Sequence, residues 1–185
     1  MVDIYLVLYF AAYGVLLPLL IVIHETGHYI FARLAGIPAE HIKISLSFPP
    51  HVAIKSWSGK WVTTKNFQNY IREFKNFVPR ERFLYYFLAG GLLLETDFLL
   101  LAVLGVYLFP ISNSYIFVLV FLSLFVNLVY MIVDMVQSFK TKEPAGDIST
   151  MWLLDTKKTI IILILFFAVR LSIIYIYFTY LQLPG

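Results

Sequence analysis

The chain has 185 residues, of which 61% are hydrophobic and 14% charged, and its mean hydropathy is +0.83. This balance excludes an ordinary soluble domain and predicts an integral membrane protein. The chain has no cysteine, which excludes disulfides and thiolate metal ligands. The net charge of +3 is explained better by membrane topology than by a nucleic-acid partner.

Four apolar segments are long enough to cross a bilayer, which takes ~20 helical residues. They cover residues 4–35, 83–109, 114–139 and 159–181. The first is overlong, so we expect it to tilt, kink near Pro18 or protrude, and to end at Gly36 and Pro38. We therefore expect an all-α polytopic membrane protein that forms one domain over residues 1–185.

The first segment contains an H-E-x-x-H motif, His24-Glu25-Thr26-Gly27-His28. Residues four apart share one face of a helix, so both imidazoles can bind one metal ion. Glu25 is then the usual general base for a water molecule. With cysteine absent, only His and carboxylate ligands are available, which suits Zn²⁺. Because ionisable groups are costly in a bilayer, the motif favours a functional site over two hydrogen-bonded core histidines.

The connection between the first two apolar segments has its own periodicity. Residues 41–48 and 51–57 alternate with period two, as strands do, and residues 60–64 follow a turn at Ser58-Gly59. Residues 66–77 are amphipathic with helical spacing. We expect a membrane-associated β-hairpin or small sheet, followed by a helix on the inner membrane surface.

The basic residues predict the orientation of the spans. Every Lys and Arg except Arg170 lies within residues 33–82 or 140–158. The connection at 110–113 and the tail at 181–185 carry no charge. By the positive-inside rule, we expect the charged connections in the cytoplasm and both termini outside the cell membrane.

A catalytic zinc site with two histidines usually has a third protein ligand. His41 and His51 are candidates by type, but both lie in the polar connection, where a lone histidine is usually solvated. Asp147 follows Gly146 at the start of a helical pattern, where its ordinary role is an N-cap. Asp134, near the end of the third span, is the alternative ligand.

Other polar residues in the spans can be compared with the motif by their predicted depth in the membrane. At ~1.5 Å per residue, Asn127 in the third span is level with His24, where it can hydrogen-bond the substrate or a ligand. Arg170 in the fourth span lies at a similar depth to Glu95 and Asp97 in the second. Since isolated charges are costly in lipid, we expect a structural ion pair, with substrate gating as the alternative.

These motifs resemble those of the site-2 protease family of intramembrane zinc metalloproteases. The segment from His24 to His28 is similar to the family's H-E-x-G-H, and Ala89-Gly90-Gly91 resembles its small-residue turn in the next span. Asn127-Leu128 followed by Gly146-Asp147 resembles the segment that supplies the family's third ligand.

The resemblance implies a peptidase that cuts a bond within or near a transmembrane segment of a protein substrate. Zinc would be held by His24, His28 and Asp147, with Glu25 as the base. We expect a minimal core without the PDZ or CBS domain of many relatives. Two alternatives stay open: a non-catalytic membrane adaptor of the same fold, and a zinc hydrolase of a lipid amide or ester. The sequence leaves the oligomeric state open.

Overall fold

The computed structural model describes residues 4–47, 50–108 and 113–181. Helices dominate this part of the chain, and a small sheet lies between the first two long ones. The elements in order are α1 (Ile4–Leu34), β1 (Ile42–Ser45), β2 (His51–Lys55), β3 (Trp61–Val62), α2 (Phe67–Phe77), α3 (Glu81–Leu108), α4 (Asn113–Thr141), α5 (Asp147–Leu154) and α6 (Thr156–Ile176), which continues as a π-helical turn, Tyr177–Leu181.

Four helices are long and apolar enough to cross a membrane, as the sequence predicts. These stretches are Gly14–Leu34, Glu81–Leu108, Ile116–Thr141 and Thr156–Thr179. The predicted mostly helical architecture with an intervening sheet and amphipathic helix is confirmed. Apart from Asn113 and Leu181, the predicted uncharged turn at 110–113 and tail at 181–185 lie outside the described residues.

Helix α1 runs through Pro18 and ends where glycine was expected to end it. Gly36 has φ +108°, in the left-handed region that favours glycine. Its N–H donates to the Arg33 carbonyl at 3.1 Å, and the N–H of Ile37 donates to the Ala32 carbonyl at 3.1 Å. These two bonds form a Schellman motif, which satisfies the last carbonyls of the helix.

Helices α1 and α3 approach each other closely through three glycines. A Cβ atom added at Gly27 would lie 2.1 Å from the Gly90 carbonyl oxygen, and one at Gly91 would lie 2.4 Å from Nε2 of His24. No larger residue fits at these positions without displacing a backbone or the His24 ring. The contact therefore brings the backbone and side chains of α3 against the H-E-x-x-H face of α1.

The three strands form an antiparallel sheet in the order β1-β2-β3. Strand β2 is central: its residues 51–54 pair with the whole of β1, whereas β3 pairs only with Ile54 and Lys55. Strand β1 begins one residue later than predicted, because His41 ends a 3₁₀ turn. Helix α2 buries Phe67, Tyr70 and Phe74 against the rest of the protein.

The expected ion pair between spans is present and involves Glu95 rather than Asp97. Arg170 is fully buried, and its Nη2 lies 3.3 Å from Oε1 of Glu95, which is 2% exposed. Arg170 also donates to Ser123 at 2.9 Å and to Thr96 at 3.0 Å. Asp97 is exposed on the outer face of α3 and forms no ion pair within the part of the chain that the structure describes.

Candidate metal centre

The H-E-x-x-H motif forms a compact cluster on α1. The rings of His24 and His28 have their centroids 4.9 Å apart. One potential ligand atom from each of His24, Glu25 and His28 lies within 4.8 Å of the others. The helical spacing of the motif thus places both imidazoles and the carboxylate at one position, as the sequence predicts.

Each imidazole is oriented by an acceptor on α3. His28 is buried, and its Nδ1–H donates to the Phe87 carbonyl oxygen at 2.8 Å. Nδ1 of His24 lies 3.2 Å from Oε2 of Glu95. An acceptor at Nδ1 fixes the tautomer, so the Nε2 lone pair of each ring is left for a metal. Such acceptors are the usual outer partners of metal-binding histidines.

Asp147 lies beside His28, at the start of α5. Its Oδ2 is 3.3 Å from Nε2 of His28, whereas a hydrogen bond between opposite charges is usually ~2.7–2.9 Å long. Two ligands ~2.0–2.1 Å from a tetrahedral zinc ion are ~3.3 Å apart. The separation is therefore compatible with two ligands of one ion, but among the described residues the ligand atoms that lie within 4.8 Å of one another belong to His24, Glu25 and His28 and not to Asp147.

The carboxylate of Asp147 is also oriented by protein groups. The Tyr130 hydroxyl donates to Oδ2 at 3.2 Å and accepts from the Asp147 N–H at 3.3 Å. Burial disfavours the charged form, but the positive charges of the protonated His28 and His24 imidazoles outweigh burial and hold the pKa of this carboxyl below its usual value. The ordinary N-cap role does not apply, because Gly146 is the N-cap and Asp147 is the first residue of the helix.

Asp134, the alternative ligand predicted from the sequence, makes a different set of contacts. It is buried, and Ser149 donates to both of its oxygens, from Oγ at 2.6 Å and from N at 2.9 Å. These bonds attach the first turn of α5 to α4. Asp134 thus holds the helix that carries Asp147, and it does not line the site cavity.

The two histidines of the polar connection have structural surroundings. His41 donates from Nδ1 to the Lys55 carbonyl at 2.7 Å, and its ring packs on Trp57 and Phe77. His51 is buried in β2 and lines the site cavity. Neither belongs to the cluster formed by the H-E-x-x-H motif.

Asn127 lines the site cavity, and within it the Asn127 side chain hydrogen-bonds Glu95. Its Nδ2 donates to the two Glu95 oxygens at 2.9 and 3.1 Å and to the Ser123 carbonyl at 2.9 Å. The Ser123 hydroxyl donates to the same carboxylate. Glu95 therefore joins His24 to Asn127, Ser123 and Arg170. The prediction that Asn127 lies level with His24 is consistent with this network, and its side chain supports the group that orients His24.

A cavity of about 400 Å³ contains the whole cluster. It is bounded by α1, β2, α2, α3, α4 and the start of α5, and much of its lining is apolar. Within it, Oε2 of Glu25 accepts a hydrogen bond from the Val52 N–H at 2.9 Å. The potential base is therefore attached to the central strand of the sheet, while the histidines are attached to α3.

The groups of this site that the sequence did not predict include the Phe87 carbonyl, Tyr130, the Val52 N–H and the contact between Glu95 and His24. The common depth of Glu95, Asn127 and His24 was a signal for the last of these. Comparison of the chain with protein-family models, with curated proteins and with solved structures gives no match.

Asp147 and Asp134, the two candidate ligands, can be distinguished by zinc binding. We expect one zinc per chain in the wild type, and loss of stoichiometric zinc in Asp147→Asn, as in His28→Ala. Asp134→Asn is the matched control, which should keep zinc but lower the unfolding temperature by loosening α5. Elemental analysis of purified protein, with a thermal melt of each variant, measures both effects. Zinc retained in Asp147→Asn and lost in Asp134→Asn would reverse the assignment.

Proposed function

We propose that this chain is an integral membrane zinc metalloprotease, which hydrolyses a peptide bond within or near a transmembrane segment of another protein. The observation that carries the proposal is one cavity among apolar helices that contains two oriented imidazoles, Asp147 and Glu25. Two histidines and a carboxylate are a ligand set used by zinc peptidases. Zinc held there would supply a Lewis acid that polarises the substrate carbonyl.

Glu25 is the residue placed to move protons in this reaction. It lies between the two histidines in sequence and beside them in the cavity. As general base, it takes a proton from the attacking water, and as general acid it delivers that proton to the leaving amine. Its bond to the Val52 N–H holds one oxygen in place, so the other oxygen is left to accept the proton.

The sheet supports a peptide as the substrate. A helical segment has no free backbone groups, so it has to unwind before it can be cut. Strand β3 pairs only with Ile54 and Lys55, which leaves the edge of β2 at residues 51–53 without a partner strand from the described part of the chain. That edge includes Val52 and leads to Glu25. Because the Val52 N–H is bonded to Glu25, an unwound substrate would pair with this edge through the Val52 carbonyl, which brings its backbone beside the base.

Membrane insertion is the second part of the proposal. The four apolar helices span the cell membrane, and the lipid bilayer is their surroundings. By the positive-inside rule, the distribution of basic residues favours cytoplasmic charged connections and external termini. The sheet and α2 then lie at the cytoplasmic surface, which gives a substrate access to the cavity from that side.

The two alternative functions are less well supported by the site. A lipid amide or ester hydrolase could use the same ligands and apolar cavity walls, but it has no use for a strand edge beside the base. A non-catalytic adaptor needs neither an oriented Nε2 pair nor a carboxylate held beside them. The combination of ligands, base and strand edge therefore favours the peptidase.

The Glu25→Gln variant tests the reaction. We expect it to keep fold and zinc but to lower turnover of a membrane-protein substrate by ~10²–10⁴-fold, because the amide cannot accept the proton. Glu40→Gln, at an exposed carboxylate outside the cavity, is the control and should cleave at the wild-type rate. Turnover can be followed in proteoliposomes by the appearance of the product. Cleavage by Glu25→Gln within tenfold of wild type would show that Glu25 is not the base.

The orientation has a separate test, which the absence of native cysteine makes simple. A single cysteine at Ser58, in the connection between β2 and β3, should be protected from an impermeant maleimide in intact cells and react after lysis. A reporter fused after Gly185 should score as external. A cytoplasmic reporter, or a Ser58→Cys thiol that reacts in intact cells, would contradict the proposed topology.

A further inference from the structure

Tyr70 is a polar residue of the cavity for which the mechanism above has no role. It lies on α2, is 2% exposed, and lines the cavity together with Glu25, His28 and Asp147. Its ring packs near Phe87, with the centroids 6.0 Å apart. Its hydroxyl makes no hydrogen bond to any residue in the described ranges. The hydroxyl oxygen keeps access to the cavity space, so a group that enters the cavity can bond it.

Tyr130, the other tyrosine of the cavity, differs from Tyr70 in the hydrogen bonds of its hydroxyl. The Tyr130 hydroxyl is engaged at Asp147, both as a donor and as an acceptor. Burial and then the carboxylates of Asp147 and Glu25 raise the pKa of the Tyr70 phenol well above its usual value. Tyr70 is thus an O–H donor beside the proposed ligand and base, and a carbonyl oxygen is the acceptor that a peptide brings there.

We propose that the Tyr70 hydroxyl donates a hydrogen bond to the carbonyl oxygen of the bond that is cut. This inference rests on the peptidase function proposed above. Negative charge develops on that oxygen during attack by water, and a donor fixed in advance stabilises it. No proton is transferred in this step. Tyr70 is fixed because α2 is capped by Asn66, which accepts from the Asn69 N–H at 3.1 Å, and because α2 packs on Phe87, whose carbonyl orients His28.

The Tyr70→Phe variant removes the hydroxyl and keeps the ring contacts. We expect kcat to fall by ~10²–10³-fold with little change in KM, since the bond strengthens as the charge develops. Zinc content and unfolding temperature should not change. A phosphinic peptide of the substrate sequence, which imitates the charged oxygen, should lose affinity by a similar factor. Tyr85→Phe is the control, because this buried tyrosine bonds Thr159 away from the cavity.

The outcomes separate this role from the function it depends on. If Glu25→Gln abolishes cleavage and Tyr70→Phe cleaves within threefold of wild type, the Tyr70 role is wrong and the peptidase stands. If Tyr70→Phe loses zinc, the residue supports the metal and the inference is also wrong. Cleavage by wild type that does not depend on Glu25 would overturn both proposals.

A second, independent observation concerns the outer face of α3. Asp97 is exposed there, two residues from the buried Glu95, and has no hydrogen bond or ion pair to the described residues. Leu100, Leu101 and Leu104 continue the same face and are 47%, 66% and 51% exposed. This face therefore presents one carboxylate within an apolar stripe at helical spacing.

Two tyrosines indicate the depth of Asp97. Tyr86 and Tyr107 are 47% and 85% exposed and lie near opposite ends of α3. Their separation along the helix is ~32 Å, close to the ~30 Å hydrocarbon thickness at whose borders tyrosine is enriched. Asp97 is about midway between them, and its short side chain cannot reach either surface. Carboxylates at this depth normally face a bundle interior or a partner.

We propose that Asp97, Leu100, Leu101 and Leu104 form a docking face for a spanning helix of another membrane protein that carries Lys or Arg near its middle. The partner helix carries Lys or Arg because the Asp97 carboxylate needs a positive charge opposite it. A second copy of the chain does not offer it, because Arg170, the basic residue of the described spans nearest this depth, is fully buried against Glu95. The proposal depends on membrane insertion and not on the peptidase reaction.

A synthetic leucine-alanine helix with one central Lys is the probe, and the same helix with Leu there is its control. Fluorescence transfer in phosphatidylcholine vesicles, from a label on a single cysteine at Leu108, measures association. We expect the Lys helix to bind wild type at least tenfold more tightly than the Leu helix, and Asp97→Leu to lose this preference. Asp155→Asn, at an acid outside this face, should keep it. Equal preference in Asp97→Leu, or self-association that requires Asp97, would overturn the proposal.

Discussion

The close approach of α1 and α3 is the constraint on which the rest of the site depends. Gly27, Gly90 and Gly91 let the two backbones meet at a distance that no Cβ atom permits. Only at that distance can acceptors on α3 reach Nδ1 of His24 and His28. Without them, two imidazoles among apolar helices would have unsatisfied N–H groups and no fixed tautomer. A packing feature of small residues thus determines which nitrogen of each ring can bind a metal.

The charges inside the helix bundle are arranged so that most of the cost of burial is offset. Glu95 receives donors from Arg170, Asn127 and Ser123 and still presents an oxygen to His24. Replacing one member would leave the others buried and unpaired, which costs more than the network contributes as a whole. Such a network adds little net stability, and its main effect is to fix the orientation of the His24 ring.

The sequence predicts the elements of this fold well, because the apolar segments are long and the helix-ending glycine at Gly36 has a clear physical effect. It also predicts heights along the helices, which correctly associated Arg170 with Glu95 and Asn127 with His24. The height of a residue along a helix does not specify the direction in which its side chain faces around the helix axis. For that reason it could not distinguish Glu95, which faces inward, from Asp97, which faces outward.

The position of Asp147 depends on the path of a short connection and on Gly146, where a Cβ would lie 2.8 Å from the Tyr130 hydroxyl. The periodicity of α2 assigns Tyr70 to its apolar face but gives no information on where the hydroxyl points.

Because the Val52 N–H bonds Glu25, the position of the carboxylate and the positions of the histidines depend on different elements. The histidines take their geometry from α3, whereas the carboxylate between them takes part of its geometry from the sheet. If the chain is the proposed peptidase, substitutions that reshape the sheet would act on proton transfer by Glu25 and not on metal affinity. In the proposed peptidase, substrate selectivity and turnover would then change together, while zinc affinity would stay the same.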